Sequence, residues 1–483
     1  MTATASQPTS TGSQKTLREI ADLPGPRGWP VLGNLPQIRV PEFHLQLESW
    51  AQQFGPLFRL RMADRQILVV SDHELVGAVL RDRPDGFRRS SRLEDVGREM
   101  GLQAGLFGVN GEVWKRQRRM VMSAFDPGHV KAYYPALVRC ADRLAKRWTQ
   151  AARGRVTIDL QADLMRFTVD AIAGLAFGTD VNTLESGGDI IQQHLDKIFP
   201  KLFTRIIAAV PYWRYFKLPS DHALDRALVA VNQAIAGFVA DARARLRADP
   251  DRRATPQNLL EAMIVAADEP GSGIDDDQVA GNVLTMLLAG EDTTANTLAW
   301  CIWLLQQNPA ALGRATEEAR QAWRPGEAVT LEQLASLDYL EACAHETMRL
   351  KPVAPQLPVQ ALRDTVVGDV RVPTGTLVMS LMRRDSVDEQ FVPQAARFQP
   401  ERWLGEAGLS AGSAKRISMP FGAGPRMCPG RYLALQEMKM VLFTLLARFD
   451  IEHVGCDHGG EPAERLMFAM APVGLRMRLR ERA

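Results

Sequence analysis

One run in this chain constrains its fold more than any other: IDDDQVAGNVLTMLLAGEDTTANTLAWCIWLLQQNP, from Ile274 to Pro309. Its acidic opening, Asp275-Asp276-Asp277, suits the positive end of a helix, and Asn308-Pro309 stops it. At about 1.5 Å per residue the helix is on the order of 50 Å long, enough to cross a whole domain. A membrane span has similar length, but Gly290-Glu291-Asp292-Thr293-Thr294 places carboxylates and hydroxyls at the middle, where lipid penalises them heavily. The rod is therefore expected inside a protein core, and its polar centre marks a site.

Around it, most of residues 72–350 shows helical periodicity, broken at GVNGE, FDPGH, the 211–220 segment and EPGSG. LFRLRM and QILVV flank Ala63-Asp64-Arg65 and read as a hairpin. Strand-like alternation returns in TVVGDVRVPTGTLVMS and, near the end, in ERLMFAM and LRMRLR. The expected fold is mainly α with a small β subdomain, one domain over residues 23–483. LPGPRGWPVLGN (Leu23 to Asn34) is a proline-glycine lead that must be extended or turning. Residues 1–22, rich in Ser, Thr, Gln and Pro, are expected to be disordered. They lack the apolar core of a signal peptide, and no run of about 18 apolar residues stands out elsewhere, so no membrane span is expected.

Hydrophobic residues at 46% and charged residues at 24% fit a globular protein with a large core. A net charge of +2, with no basic-aromatic stripe and no zinc-type Cys/His pairs, argues against nucleic acid. The cysteines are Cys140, Cys301, Cys343, Cys428 and Cys456: odd in number, scattered, and without a C-x-x-C pair. That favours a reducing compartment, and the expected location is cytoplasmic.

Cys428 stands apart from the rest. In FGAGPRMCPG it sits between glycines at the mouth of the amphipathic run RYLALQEMKMVLFTLLARF. A helix N-terminus presents unpaired N–H groups and a positive dipole, which favour thiolate. Gly422, Gly424 and Gly430 allow close backbone approach, Arg426 supplies a cation suited to a carboxylate, and Phe421 is placed to shield the sulfur. A catalytic thiol is an alternative, but no histidine base lies nearby in sequence.

FGAGPRMCPG resembles, at every fixed position, the F-x-x-G-x-R-x-C-x-G signature of the cytochrome P-450 haem-thiolate monooxygenases. The resemblance spans roughly residues 23–480 and implies a long central helix over a haem b (iron protoporphyrin IX), with the cysteine loop beneath. Cys428 would be the axial ligand, and Phe421, Gly424 and Arg426 would line the cofactor. In GEVWKRQRR, Trp114 and Arg118 resemble the W-x-x-x-R pair that holds haem propionates. In YLEACAHETMRLKP, Glu346 and Arg349 share a helix face, and with Arg402 of FQPERW they resemble the buried Glu-Arg-Arg network behind the haem. Ala289 to Thr294 is similar to A-G-x-[DE]-T-[ST]; it implies Gly290 leaving room for dioxygen, and Asp292 and Thr293 relaying protons.

By this resemblance the chain is a soluble, bacterial-type monooxygenase. It would insert one atom of O2 into a small lipophilic substrate by hydroxylation or epoxidation. The residues after Gly430 are too few for a flavin reductase domain, so electrons are expected from an external ferredoxin or flavodoxin with an NAD(P)H-dependent reductase, docking near Lys115, Arg116 and Arg119. A peroxide-driven peroxygenase or isomerase-type enzyme is the alternative, and a non-catalytic haem sensor a third. The family's substrate lid would fall at IFPKLFTRIIAAVPYWRYF, Ile198 to Phe216.

Overall fold

The computed structural model describes residues 17–186, 198, 200–202, 204–206, 208, 210–405 and 414–482. The expected rod is present as a helix over Asp276–Gln307. Asp275 caps it: its side chain accepts from the Gln278 N–H at 2.9 Å, and Gln278 Oε1 accepts from the Asp275 N–H at 3.2 Å. Two large hydrophobic clusters meet along this helix. One holds Leu298, Trp300 and Leu305 with the helices Asp338–Leu350 and Arg431–Arg448. The other holds Val279, Val283 and Leu287 with Phe177, Leu228 and Met263. The rod is thus buried on nearly every side, as its apolar sequence requires.

The helix Pro219–Ala248 is long and apolar enough to cross a membrane by length and composition alone, against the expectation that no such segment exists. Here it packs inward: Leu224, Leu228, Val231, Ile235 and Val239 join the second cluster. Arg243 at its far end pairs with Asp268 and Asp276.

The strands fall into separate small sheets. The hairpin Leu57–Met62 with Arg65–Val70 forms as expected, turning at Ala63, whose φ is 54°. It continues through Leu377–Leu381 and Gln356–Ala361 to Phe87–Arg88 in one five-stranded sheet. Residues 17–22, expected to be disordered, are structured. Arg18–Glu19 pairs in parallel with Val370–Arg371, and Arg18 donates to both carboxylate oxygens of Asp369. Ile20 is buried in the sheet's own core. Two buried apolar residues, Ile20 and Leu23, anchor the segment despite its polar composition; residues 1–16 lie outside the described set.

Candidate active site

The cysteine loop is shaped by its own backbone. Cys428 N–H donates to Phe421 O at 2.9 Å, Met427 N–H to Gly424 O at 3.0 Å, and Gly422 N–H to Met419 O at 2.9 Å. Gly422 and Gly424 adopt φ of 74° and 72°, which L-residues avoid. A Cβ on Gly424 would stand 2.7 Å from Arg81 Cα. Gly424 therefore lets the loop seat against the end of the helix His73–Arg81, and the Phe421 ring packs on the larger core.

Four of the five cysteines are buried; Cys428 is exposed. Yet burial pushes its thiol upward, with the Gly430 N–H, Arg118 and Arg431 pulling it back. An exposed residue hemmed in by protein lies on the wall of a hollow, not on the outer surface. The helix end alone does not make the thiolate expected from sequence; a bound metal ion would, because coordination deprotonates a thiol outright.

Above the loop lies a knot of arginines. The Arg426 guanidinium covers the Trp114 ring at 4.7 Å, and its Nη2 donates to Val109 O at 2.6 Å and Asn110 Oδ1 at 3.2 Å. Arg89, which sequence reasoning missed, is buried over the Phe107 ring at 4.2 Å. The Nε atoms of Arg89 and Arg426 are buried without a partner. Burial, then Arg83 and Arg426, push Arg89 down to about 9. Burial, then Arg83, Arg118 and Arg88, push Arg426 down to about 10. Arg118 is also lowered by burial and feels Cys428. Among the described residues no carboxylate pairs with Arg89, Arg118 or Arg426. Desolvated like charges of this kind need an anion. The donors fit a ligand that brings its own carboxylates to this end of the hollow and a thiolate-seeking metal to Cys428. That is the chemistry of a haem with propionates.

The polar centre of the rod carries a second opening. Ala289 is exposed and Thr293 half-buried, one turn apart on one face, although residues on both sides along the helix are buried. Thr293 Oγ1 donates to Ala289 O at 2.6 Å, Asn296 Nδ2 to Asp292 O at 2.8 Å, and Thr297 Oγ1 to Thr293 O at 2.8 Å. Three consecutive side-chain bonds to i−4 carbonyls loosen the helix where it meets the opening. A Cβ on Gly290 would meet Ile172 Cδ1 at 3.1 Å, so this glycine also lets the helix Leu160–Phe177 pack closely.

Behind the loop, Glu346 and Arg349 form a doubly hydrogen-bonded pair at 2.8 and 2.9 Å, both fully buried. Glu346 also accepts from Arg402 Nε at 3.3 Å, Gln399 N–H at 2.9 Å and Trp403 Nε1 at 2.9 Å. Arg349 spends its remaining donors on Ser386, Ala395 and Arg397 carbonyls. One carboxylate thus ties the helix Asp338–Leu350 to the segment before the cysteine loop. Trp403 was not anticipated; it stands one residue beyond Arg402 in the same PERW turn.

A family model for cytochrome P450, written hereafter P-450, matches residues 23–478. The chain belongs to the cytochrome P-450 family. A cytochrome P-450 of Caenorhabditis elegans is 28% identical, covering 89% of this chain and 88% of its own. Carotene epsilon-monooxygenase of Arabidopsis thaliana is 25% identical, covering 85% and 77%. A bifunctional cytochrome P-450/NADPH–P-450 reductase of Bacillus subtilis is 26% identical, covering 91% of this chain and 41% of its own. As a P-450 the protein is a haem-iron monooxygenase using O2, an organic substrate and reducing partners. The mainly α architecture with small sheets is the P-450 fold.

Two further expectations are modified in this P-450. Arg116 does not point to solvent: its guanidinium lies against Gly273 and its Nε is buried. Lys115 and Arg119 remain exposed, Lys115 bridging to Glu112 at 2.7 Å. In the segment expected to form a lid, Phe199, Phe203, Ile207 and Ala209 lie outside the described residues. Ile198, Leu202 and Trp213 are core, whereas Val210, Tyr215 and Phe216 are exposed.

Proposed function

We propose that this P-450 inserts one oxygen atom of O2 into a small lipophilic molecule, holding haem b and taking electrons from a separate ferredoxin or flavodoxin served by an NAD(P)H-dependent reductase. The observation that carries the reading is exposed Cys428 together with Arg89, Arg118 and Arg426, which no carboxylate pairs among the described residues, in a chain whose central helix opens at Ala289 and Thr293. When bound, the haem supplies the activation of dioxygen.

The chain's own groups have distinct tasks. Cys428 offers sulfur to the iron, with the Gly430 N–H tuning its basicity. Arg89, Arg118 and Arg426 hold the carboxylates and set the cofactor's orientation, with Trp114 packed beneath Arg426. Thr293 holds a proton at Oγ1 on the open face, and half-buried Asp292 precedes it, within reach of solvent protons. The acid-hydroxyl pair favours dioxygen over peroxide as oxidant. Exposed Lys115 and Arg119 on the Trp114 helix offer positive charge to an acidic carrier. Five unpaired cysteines suit the cytoplasm.

The test is a screen of lipophilic compounds for displacement of the haem absorption, followed by turnover with O2 and a ferredoxin pair. Product carrying one atom from labelled O2 supports the reading. Product with peroxide alone and none with O2 and carrier overturns it.

A further inference from the structure

Residues 103–110 run without regular structure between the helices Ser91–Glu99 and Gly111–Ala124, yet they are pinned to the central helix. Asn282 of that helix, 1% exposed, accepts from the Leu106 N–H at 2.9 Å. Its Nδ2 donates to Gln117 Oε1 at 3.0 Å and to Gln278 O at 2.8 Å. Gln117, fully buried on the helix Gly111–Ala124, donates in turn from Nε2 to Ala104 O at 3.1 Å. The relay therefore starts and ends on the same loop. Its two backbone ends fix both amides, because turning either one would set donor against donor or acceptor against acceptor. Between those ends sits Gly105, so close to the central helix that a Cβ on it would stand 2.2 Å from Gly281 O. A Cβ on Gly281 would meet Gly105 N at 3.0 Å.

The far end of this loop carries the arginines of the site. Val109 O and Asn110 Oδ1 accept from Arg426 Nη2, and Asn110 Oδ1 also accepts from the Arg89 N–H at 3.1 Å. The Phe107 ring lies against the Arg89 guanidinium. Arg83 and Arg426 both repel Arg89, so a loose loop would let the group spread. We propose that Asn282 and Gln117 are positioning residues: they clamp the loop to the central helix, and the clamped loop holds Arg89 and Arg426 at the spacing that meets the cofactor's carboxylates. The positioning role rests on the reading that these two arginines take the carboxylates; the clamp itself does not.

Asn282→Leu keeps the size of the side chain and removes its hydrogen bonds. In the holoprotein, amide hydrogen exchange over residues 104–110 should quicken about tenfold, as expected for one lost buried hydrogen bond, while exchange over residues 300–305 of the same helix stays as it was. Haem transfer to an apoprotein acceptor should be several-fold faster. Thr168→Val removes a buried hydroxyl that donates to Leu164 O and Met165 O; it measures the effect of a general loss of stability and should change neither reading. In an Arg426→Met background, Asn282→Leu should add less to haem transfer than it does in the wild type, because the clamp acts through that arginine. If Asn282→Leu does not fold, Gln117→Met, which breaks the relay at its Ala104 end, carries the same comparisons. Unchanged exchange over 104–110 overturns the clamp. Quickened exchange with unchanged haem transfer, or an equal added effect in the Arg426→Met background, overturns the positioning role. Should Arg426→Met alone leave transfer unchanged, the arginine reading fails and takes the positioning role with it, and the exchange result still decides the clamp.

Discussion

Arg426 lies face-on over Trp114 at 4.7 Å, so the cysteine loop and the helix Gly111–Ala124 meet at a cation on an aromatic ring. The contact turns two separate sequence motifs into one wall. It also brings Arg118 within electrostatic reach of Cys428.

Cys428→Ala should abolish the thiolate-type spectrum of the reduced carbonyl complex. The other four cysteines are buried and none can replace it. Cys428→His should still bind haem but lose oxygen insertion. A purified, folded Cys428→Ala protein that kept the spectrum would remove Cys428 from the iron.

Arg89→Met should act oppositely on the two forms of the protein. Without haem, the variant should melt higher, because a buried cation crowded by Arg83 and Arg426 is relieved. With haem, transfer to an apoprotein acceptor should be faster by on the order of tenfold, the loss of one charge-assisted contact. Equal haem loss from both proteins would place the propionates away from Arg89.

Glu346→Gln should destabilise the fold by about 3 kcal/mol or more, because Arg349 stays buried with its counter-charge gone. Urea unfolding gives the number. The double variant Glu346→Gln with Arg349→Met should recover part of the loss, as expected when the penalty is an uncompensated charge.

Thr293→Ala should uncouple the enzyme, releasing peroxide in place of oxygenated product while electrons still flow. Asp292→Asn should slow turnover itself. Product per NAD(P)H and peroxide yield are the measurements. An unchanged ratio in Thr293→Ala would sink the relay.

Charge reversal at Lys115 and Arg119 should slow reduction by an acidic carrier, most visibly at low salt, and leave peroxide-driven activity intact. Arg116, tucked against Gly273, should contribute little to docking. Rates and salt dependence that ignore both reversals would move the docking face elsewhere.

What the sequence determined by itself is what short-range chemistry encodes. The capping box at Asp275 and Gln278, the 57–70 hairpin and the i, i+3 pair Glu346–Arg349 each follow from neighbours a few residues apart. The cysteine motif was legible for the same reason, since its glycines and arginine serve one tight loop. Only the tertiary structure decided the rest. Arg89 has no periodic signature; it matters because the fold carries it beside Arg426. That Gly290 packs against Ile172 of another helix depends on the fold and not on its neighbours in the chain. Arg18 reads as part of a polar tail until it meets Asp369. Desolvation and long-range contact are sums over the whole packed chain, so no local pattern can announce them.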